Sequence, residues 1–169
     1  TSTTACLALG DALAVAVLEA RGFTPEDFAR SHPAGALGRR LLLTIRDIMH
    51  AGDDVPRVRA EASIAEALVV MSRDRLGMTA VVDADARLVG VFTDGDLRRA
   101  LDNPSLDVRN DAVSTVMGRK PKTIAPDELA TAAVHAMEEH KVNALVVVDD
   151  ERRVVGALNF IDLLNARVV

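Results

Sequence analysis

Two stretches of this chain are versions of each other. Asp47-Ile48-Met49 returns as Thr115-Val116-Met117 at an offset of 68 residues. Ala80-Val81-Val82-Asp83 returns as Val146-Val147-Val148-Asp149, Leu88-Val89-Gly90-Val91 as Val154-Val155-Gly156-Ala157, and Asp96-Leu97 as Asp162-Leu163, each at an offset of 66. Four blocks in one order, with two residues of drift, mean two copies of a unit of about 60 residues. A unit this short buries too little surface to be comfortable alone, so two copies packed face to face on their strands are expected to share one core.

Both copies carry the same local signals. In the first, Ala67, Leu68 and Met71 share one helix face over residues 65–75. Ser63, with Glu66 three residues on, forms a capping box at its start. Thr79 to Val82 is a β-prone run, residues 83–86 are a polar turn, and residues 87–92 make a second strand, together a hairpin. Thr93 or Asp94 then caps a helix running through Leu97 and Leu101. The second copy predicts a helix over 127–140, strands over 144–148 and 153–158 around a turn, and a helix over 160–166. The unit reads strand, helix, strand, strand, helix, a mixed α/β (α+β) fold.

The expected organisation is residues 1–44 outside the repeat, a first copy over 45–104, a linker over 105–112 and a second copy over 113–169. Asp11 to Arg21 is an Ala-rich helix ended by Gly22, and Thr24 with Pro25 starts another. Ser31 to Gly38 is a tight Pro/Gly loop. The chain opens on Thr1 in the middle of helix-forming sequence, and is expected to be part of a longer protein.

Charge and composition exclude several function classes. There are 25 acidic and 20 basic residues, a net charge of −5, where a nucleic-acid coat needs a basic footprint. With no Trp and no Tyr, stacking of several bases on aromatic side chains is disfavoured. The single cysteine, Cys6, leaves no internal disulfide, making a reducing cytoplasm the default, and it is expected to be a small buried residue. Asp11 interrupts the apolar start, so no membrane span is expected, and no cationic stretch precedes it, so no signal peptide is expected. His135 and His140 are five apart and face different sides of a helix; no metal-ligand spacing, Walker A loop or GxGxxG is present.

The ends of the second strands carry the chemistry. Gly90-Val91-Phe92-Thr93-Asp94-Gly95-Asp96 in the first copy and Gly156-Ala157-Leu158-Asn159-Phe160-Ile161-Asp162 in the second resemble the signature of the CBS domain, the cystathionine-β-synthase module that occurs as tandem (Bateman) pairs. The resemblance covers residues 45–169. An Asp96 carboxylate left free in the first helical turn would accept ribose hydroxyls. Thr93 would donate to a phosphate at a helix N-terminus, and Arg98 and Arg99 would add bidentate cations. Asn159 replaces the usual hydroxyl beside Asp162, which weakens the second site. Gly77-Met78-Thr79 and Val142-Asn143-Ala144 occupy corresponding positions and would floor a base pocket. The commoner reading of a methionine such as Met78 is ordinary core packing, and Gly77 would then serve a turn. Arg119-Lys120-Pro121-Lys122, just before a strand opened by Thr123, is either a solvated loop or a phosphate or carboxylate clamp.

Further blocks resemble one enzyme family, the D-arabinose 5-phosphate isomerases, in which a sugar isomerase (SIS) domain precedes a CBS pair. They are GDALA, SHPAGALGRRLLL, DIMH, GMTAVVD and GVFTDGDLRRAL, in register along the whole chain, with Ala34 where the family carries glycine. The resemblance implies that residues 1–44 end an SIS domain and that His32 belongs to the active site of the intact enzyme. There a base of near-neutral pKa suits proton transfer through an enediol. It implies conversion of D-ribulose 5-phosphate to D-arabinose 5-phosphate at the entry to Kdo and lipopolysaccharide synthesis in the cytoplasm. This chain alone is expected to be inactive and to require no cofactor. The effector expected for the pair is a nucleotide, either CMP-Kdo as a feedback signal or AMP or ATP. Self-association through the helices, a dimer of pairs within a tetramer, is expected. Two other readings stay open: a ligand-free assembly module, and a nucleotide sensor acting on a separate partner.

Overall fold

The structure is a computed structural model of the 169-residue chain and describes residues 2–24, 27 and 42–169. It divides into two compact units, Thr1–Leu42 and Leu43–Val169. In the first, helix α1 (Ser2–Ala20) starts earlier than Asp11 and ends as expected, with Gly22 left-handed at φ 61 and its N–H bonded to the Glu19 carbonyl. Leu7, Leu9, Leu13 and Val15 are all more than half exposed. Thr3–Ala20 is long and apolar enough to cross a membrane by length and composition, because Asp11 and Glu19 are its only charges. A helix apolar on all sides belongs inside protein or inside lipid. Cys6 is exposed on this helix rather than buried. Thr24 and Asp27 exchange the bonds of a capping box. His32 and the loop around it lie outside the described residues.

The second unit holds both repeats. Its elements are α2 (Ile45–Ile48), β1 (His50–Ala51), β2 (Arg57–Arg59), α3 (Ile64–Asp74), β3 (Met78–Val82), β4 (Leu88–Thr93), α4 (Asp94–Leu101), β5 (Thr123–Ile124), α5 (Ala130–His140), β6 (Ala144–Val148), β7 (Val154–Asn159) and α6 (Phe160–Asn165). The expected capping box opens α3: Ser63 Oγ accepts the Glu66 N–H at 3.1 Å and Glu66 Oε2 accepts the Ser63 N–H at 2.7 Å. In each copy the first strand lies parallel to the second and the second antiparallel to the third, with the same bulge before the hairpin turn.

The sheets are not independent. One has the order β2-β3-β4; the other is β1-β7-β6-β5, so β1, which belongs to the first copy by sequence, joins the sheet of the second. Gly118, in the second copy's leading segment, reciprocally bridges Val91 on β4. The two copies thus exchange their leading segments. The hairpin turns also meet, Leu88 N–H bonding the Arg152 carbonyl and Val154 N–H the Ala86 carbonyl, with Arg87 facing its own repeat-mate Arg153.

The core is threefold rather than one. Strand faces share a central cluster in which Val55, Met78, Ala80 and Val82 meet Val146, Val154 and Ala157. Each copy also packs its helices on the outer sheet face. Ile64, Ala67, Met71, Val81 and Phe92 take in Val113 and Met117, while Ala130, Ala133, Met137, Leu145 and Leu158 take in Ile45 and Met49. Period-2 alternation divides β3 between the two environments, with Met78, Ala80 and Val82 on one side and Thr79 and Val81 on the other.

Candidate functional site

The signature glycines make room for the exchange. A Cβ on Gly90 would stand 2.5 Å from Met117 Sδ and 3.0 Å from the Gly118 carbonyl oxygen. One on Gly156 would stand 2.5 Å from Met49 Sδ and 2.9 Å from the His50 carbonyl oxygen. Strands β4 and β7 each deliver the chain from such a crossing to a helix N-terminus, which brings Thr93 and Asn159 to equivalent corners.

At the first corner Thr93 caps α4. Its Oγ1 receives the Asp96 N–H, and Asp96 Oδ2 accepts both the Thr93 N–H at 2.9 Å and the Thr93 hydroxyl at 2.6 Å. The other oxygen, Oδ1, accepts from Arg99 Nη2 at 2.5 Å. The carboxylate is therefore not free, as the sequence reading had it, and the Thr93 hydroxyl is already donated. A Thr-x-x-Asp spacing at a helix start satisfies orphan N–H groups before it offers anything to a ligand. Asp96 is 7% exposed, whereas the Arg99 side chain is 73% exposed, so the cation is the movable member of the pair. Arg98 is exposed one residue earlier.

The second corner repeats the cap with Asn159 Oδ1 accepting from Ile161 and Asp162 N–H groups, and Asp162 Oδ2 accepting the Asn159 N–H at 2.7 Å. Its free oxygen is held differently: His50 Nε2, brought from the first copy by β1, lies 3.0 Å from Asp162 Oδ1. His50 was not anticipated. The pseudo-equivalent position in the second copy's leading segment is Gly118, which has no side chain to reach Asp96. The extra two residues of offset between Met49 and Met117 were the one sequence signal that these segments differ.

The proposed pocket floors are reached in part. Met78 pairs with Thr93 and Ala144 with Asn159, so both β-strand starts lie beside their caps, and the Phe160 N–H bonds the Asn143 carbonyl. Met78 is 3% exposed in the central cluster, and exposed Gly77 has φ 70, the turn role. Thr79 is corrected: it is fully buried and its hydroxyl donates to the Ala67 carbonyl of α3 at 3.1 Å, because it falls on the helix-facing side of β3. Asn143 is exposed and borders a cavity of about 320 Å³ with Lys141, Val142 and Phe160. Lys120 and Lys122 are exposed and Thr123 half-buried at the start of β5, where the Lys122 carbonyl receives the Val146 N–H. Arg119 is turned back to the Ser114 carbonyl at 3.1 Å.

Each corner shares one carboxylate oxygen with a side chain that is not buried, Arg99 at the first and His50 at the second, so a hydroxyl taking that oxygen would release a guanidinium or an imidazole. Among the described residues no cluster of three or more His, Cys, Asp or Glu side chains is placed to hold a metal.

Comparisons agree with that architecture. The CBS domain model matches residues 43–103 and 113–169. The chain is 56% identical over 168 residues to arabinose 5-phosphate isomerase KdsD of Pseudomonas aeruginosa, 99% of this chain and 51% of that protein. It is 48% identical over 168 residues to the enzyme of the same name from Escherichia coli, again 99% of this chain and 51% of the relative. The chain therefore spans about half the length of the curated relatives it matches. Among solved structures it is similar to the CBS domain pair of protein MJ0100 in complex with 5′-methylthioadenosine and S-adenosyl-L-methionine, with a TM-score of 0.65 and 25% identity, covering 73% of this chain and 94% of that one. CBSX2 in complex with AMP shares the fold at a TM-score of 0.65 and 23% identity, over 75% and 96% of the two chains.

Proposed function

The chain belongs to the CBS domain family, and from that premise we propose that its two copies form the effector-binding regulatory part of a D-arabinose 5-phosphate isomerase. The observation that carries this reading is 56% identity over 99% of the chain to an enzyme of that name. The whole protein would convert D-ribulose 5-phosphate to D-arabinose 5-phosphate in the cytoplasm, with His32 in its active site and residues 1–44 at the end of its SIS domain. This chain by itself would not isomerise.

The effector we propose is nucleotide-like. The Asp96 corner takes ribose hydroxyls on Oδ1 while Arg99, once displaced, turns with Arg98 to phosphate. The Asp162 corner does the same with His50, supported by Asn159 and by the backbone at Asn143 and Ala144. Lys120, Lys122 and Thr123 add cations and a hydroxyl on the second copy. CMP-Kdo, with ribose, phosphate and carboxylate together, suits these groups as a feedback signal. An adenine nucleotide is supported by the nucleoside ligands of the similar CBS pair.

A ligand-free assembly role is the second reading. It is favoured by Val69, Leu101, Ile161 and Leu164, which are large, apolar and exposed on α3, α4 and α6 and would seat a further copy. A thermal-shift panel decides between the two. CMP-Kdo, CMP, AMP, ATP and arabinose 5-phosphate are each added at about 100 times an expected dissociation constant, where a bound ligand adds roughly 2.7 kcal/mol. Stabilisation by CMP-Kdo above CMP supports feedback, adenine nucleotides alone support energy sensing, and a flat panel leaves assembly.

A further inference from the structure

Away from the two corners, at the opposite end of the strands, edge strand β2 and the hairpin turn after β3 border an open hollow of about 230 Å³. Arg57 and Arg59 line it together with Asp83, Ala84 and Ala86. Val58 points into the helix-side cluster, so by period-2 alternation both arginines stand on the other sheet face, opposite Ala80 and Val82. Both are exposed, and neither side chain has a hydrogen-bond or ion-pair partner among the described residues. The one acid in the lining is occupied locally: Asp83 Oδ1 accepts the Asp85 and Arg87 N–H groups, each at 2.9 Å.

The second copy serves as an internal control. At the 66-residue offset Arg57 and Arg59 become Thr123 and Ala125, and the small Ala84 and Ala86 become Asp150 and Arg152. The same strand, bulge and turn form there without the paired cations and with bulkier turn residues. The scaffold therefore requires neither the two arginines nor the two alanines. Their co-occurrence in one copy gives a hollow in which two cations face one carboxylate, with space left inside it.

We propose that this hollow is a separate binding site for a small metabolite bearing a phosphate or carboxylate, gripped between the Arg57 and Arg59 guanidinium groups. Two planar forks on alternate residues of one strand match the oxygens of such an anion. The volume lies below the roughly 300–1,000 Å³ of drug-sized pockets, which limits the ligand to a compact anion. The site is separate from the effector corners, which lie at the other end of the strands.

The test is titration calorimetry on the full chain in phosphate-free buffer, with inorganic phosphate and malonate as probes. R57Q/R59Q is compared with wild type, R109Q (an exposed arginine elsewhere) serves as charge control, and R99Q reports on the first corner. The expected result is saturable binding of at least one probe, weakened tenfold or more in R57Q/R59Q and unchanged in R109Q, with any binding lost in R99Q assigned to the first corner. Phosphate binding alone identifies a phosphoester site and malonate binding alone a carboxylate site. No binding of either probe, equal weakening in R109Q, or loss in R99Q with retention in R57Q/R59Q overturns the proposal. Unchanged binding together with aggregation of R57Q/R59Q does so too, since the arginines would then only guard a sheet edge. Both exposed substitutions leave the core intact, and circular dichroism melts confirm that each variant folds.

Discussion

His50 and Asp162 are 112 positions apart in the chain and 3.0 Å apart in space, joined through Nε2 and Oδ1. The bond ties the first strand of one repeat to the last helix of the other. It puts an imidazole at only one of the two pseudo-equivalent corners, since Gly118 stands at the other. His50→Ala is expected to cost about 1 kcal/mol, as for a partly exposed hydrogen bond. It should alter effector affinity at the Asp162 corner while leaving the Asp96 corner unchanged. Urea denaturation and a two-site calorimetric titration measure the two effects.

Gly156→Ala and Gly90→Ala are each expected to destabilise by about 1–3 kcal/mol, the range for overpacking. The new Cβ meets both a methionine sulfur and a backbone carbonyl oxygen. Met117→Ala should rescue Gly90→Ala only in part, because truncating the side chain does not move the Gly118 carbonyl oxygen at 3.0 Å. Urea midpoints of the single and double variants test this.

Thr93→Val removes the hydroxyl that both accepts the Asp96 N–H and donates to its carboxylate. A loss of about 1 kcal/mol is expected, with Thr93→Ser retaining most of the stability. Asp96→Asn should abolish effector stabilisation at the first corner while the protein still melts cooperatively. Thermal melts with and without ligand separate the two effects.

Asp47 is held below its usual carboxylate range, chiefly because the Thr44 hydroxyl donates to it at 2.7 Å, with the Thr44 N–H adding a second bond at 2.9 Å. Asp107 is lowered in the same direction by Asn110 and the Arg109 N–H. A depressed folded pKa contributes stability that is complete above the unfolded value, about 4, and is lost as pH falls through the folded value. Urea midpoints should therefore decline on the acid side of pH 4, and Asp47→Asn should make that decline shallower.

Much of this was legible in the sequence because it is local. The offset of 66 marked both hairpins, and Ser63 with Glu66 marked the start of α3. Residues 144–148 form the predicted strand to the residue. What could not be read is set by distance along the chain. Strand β1 is two residues long and has no propensity signal of its own; only the open edge of β7 makes it a strand. His50 reaches Asp162 through that pairing alone. Asp96 carries two readings in the sequence, helix cap and ligand acceptor: Thr-x-x-Asp is itself a capping box, and the local bonds it offers the backbone come first. Thr79 faces α3 rather than a pocket, and alternation along β3 does not say which face looks at helices.

The exchange of leading segments has a consequence for biosynthesis. A chain emerging from the ribosome carries Met49 and His50 into solution on the order of a hundred residues before Gly156 and Asp162, their partners, have been made. Until then the outer cluster of the second repeat cannot close over Ile45 and Met49. The first repeat likewise waits for Val113 and Met117. Neither half can be completed in order of synthesis, so final closure is a late, long-range event. Nascent chains stopped inside the second repeat should expose apolar surface to chaperones until the last strand is released.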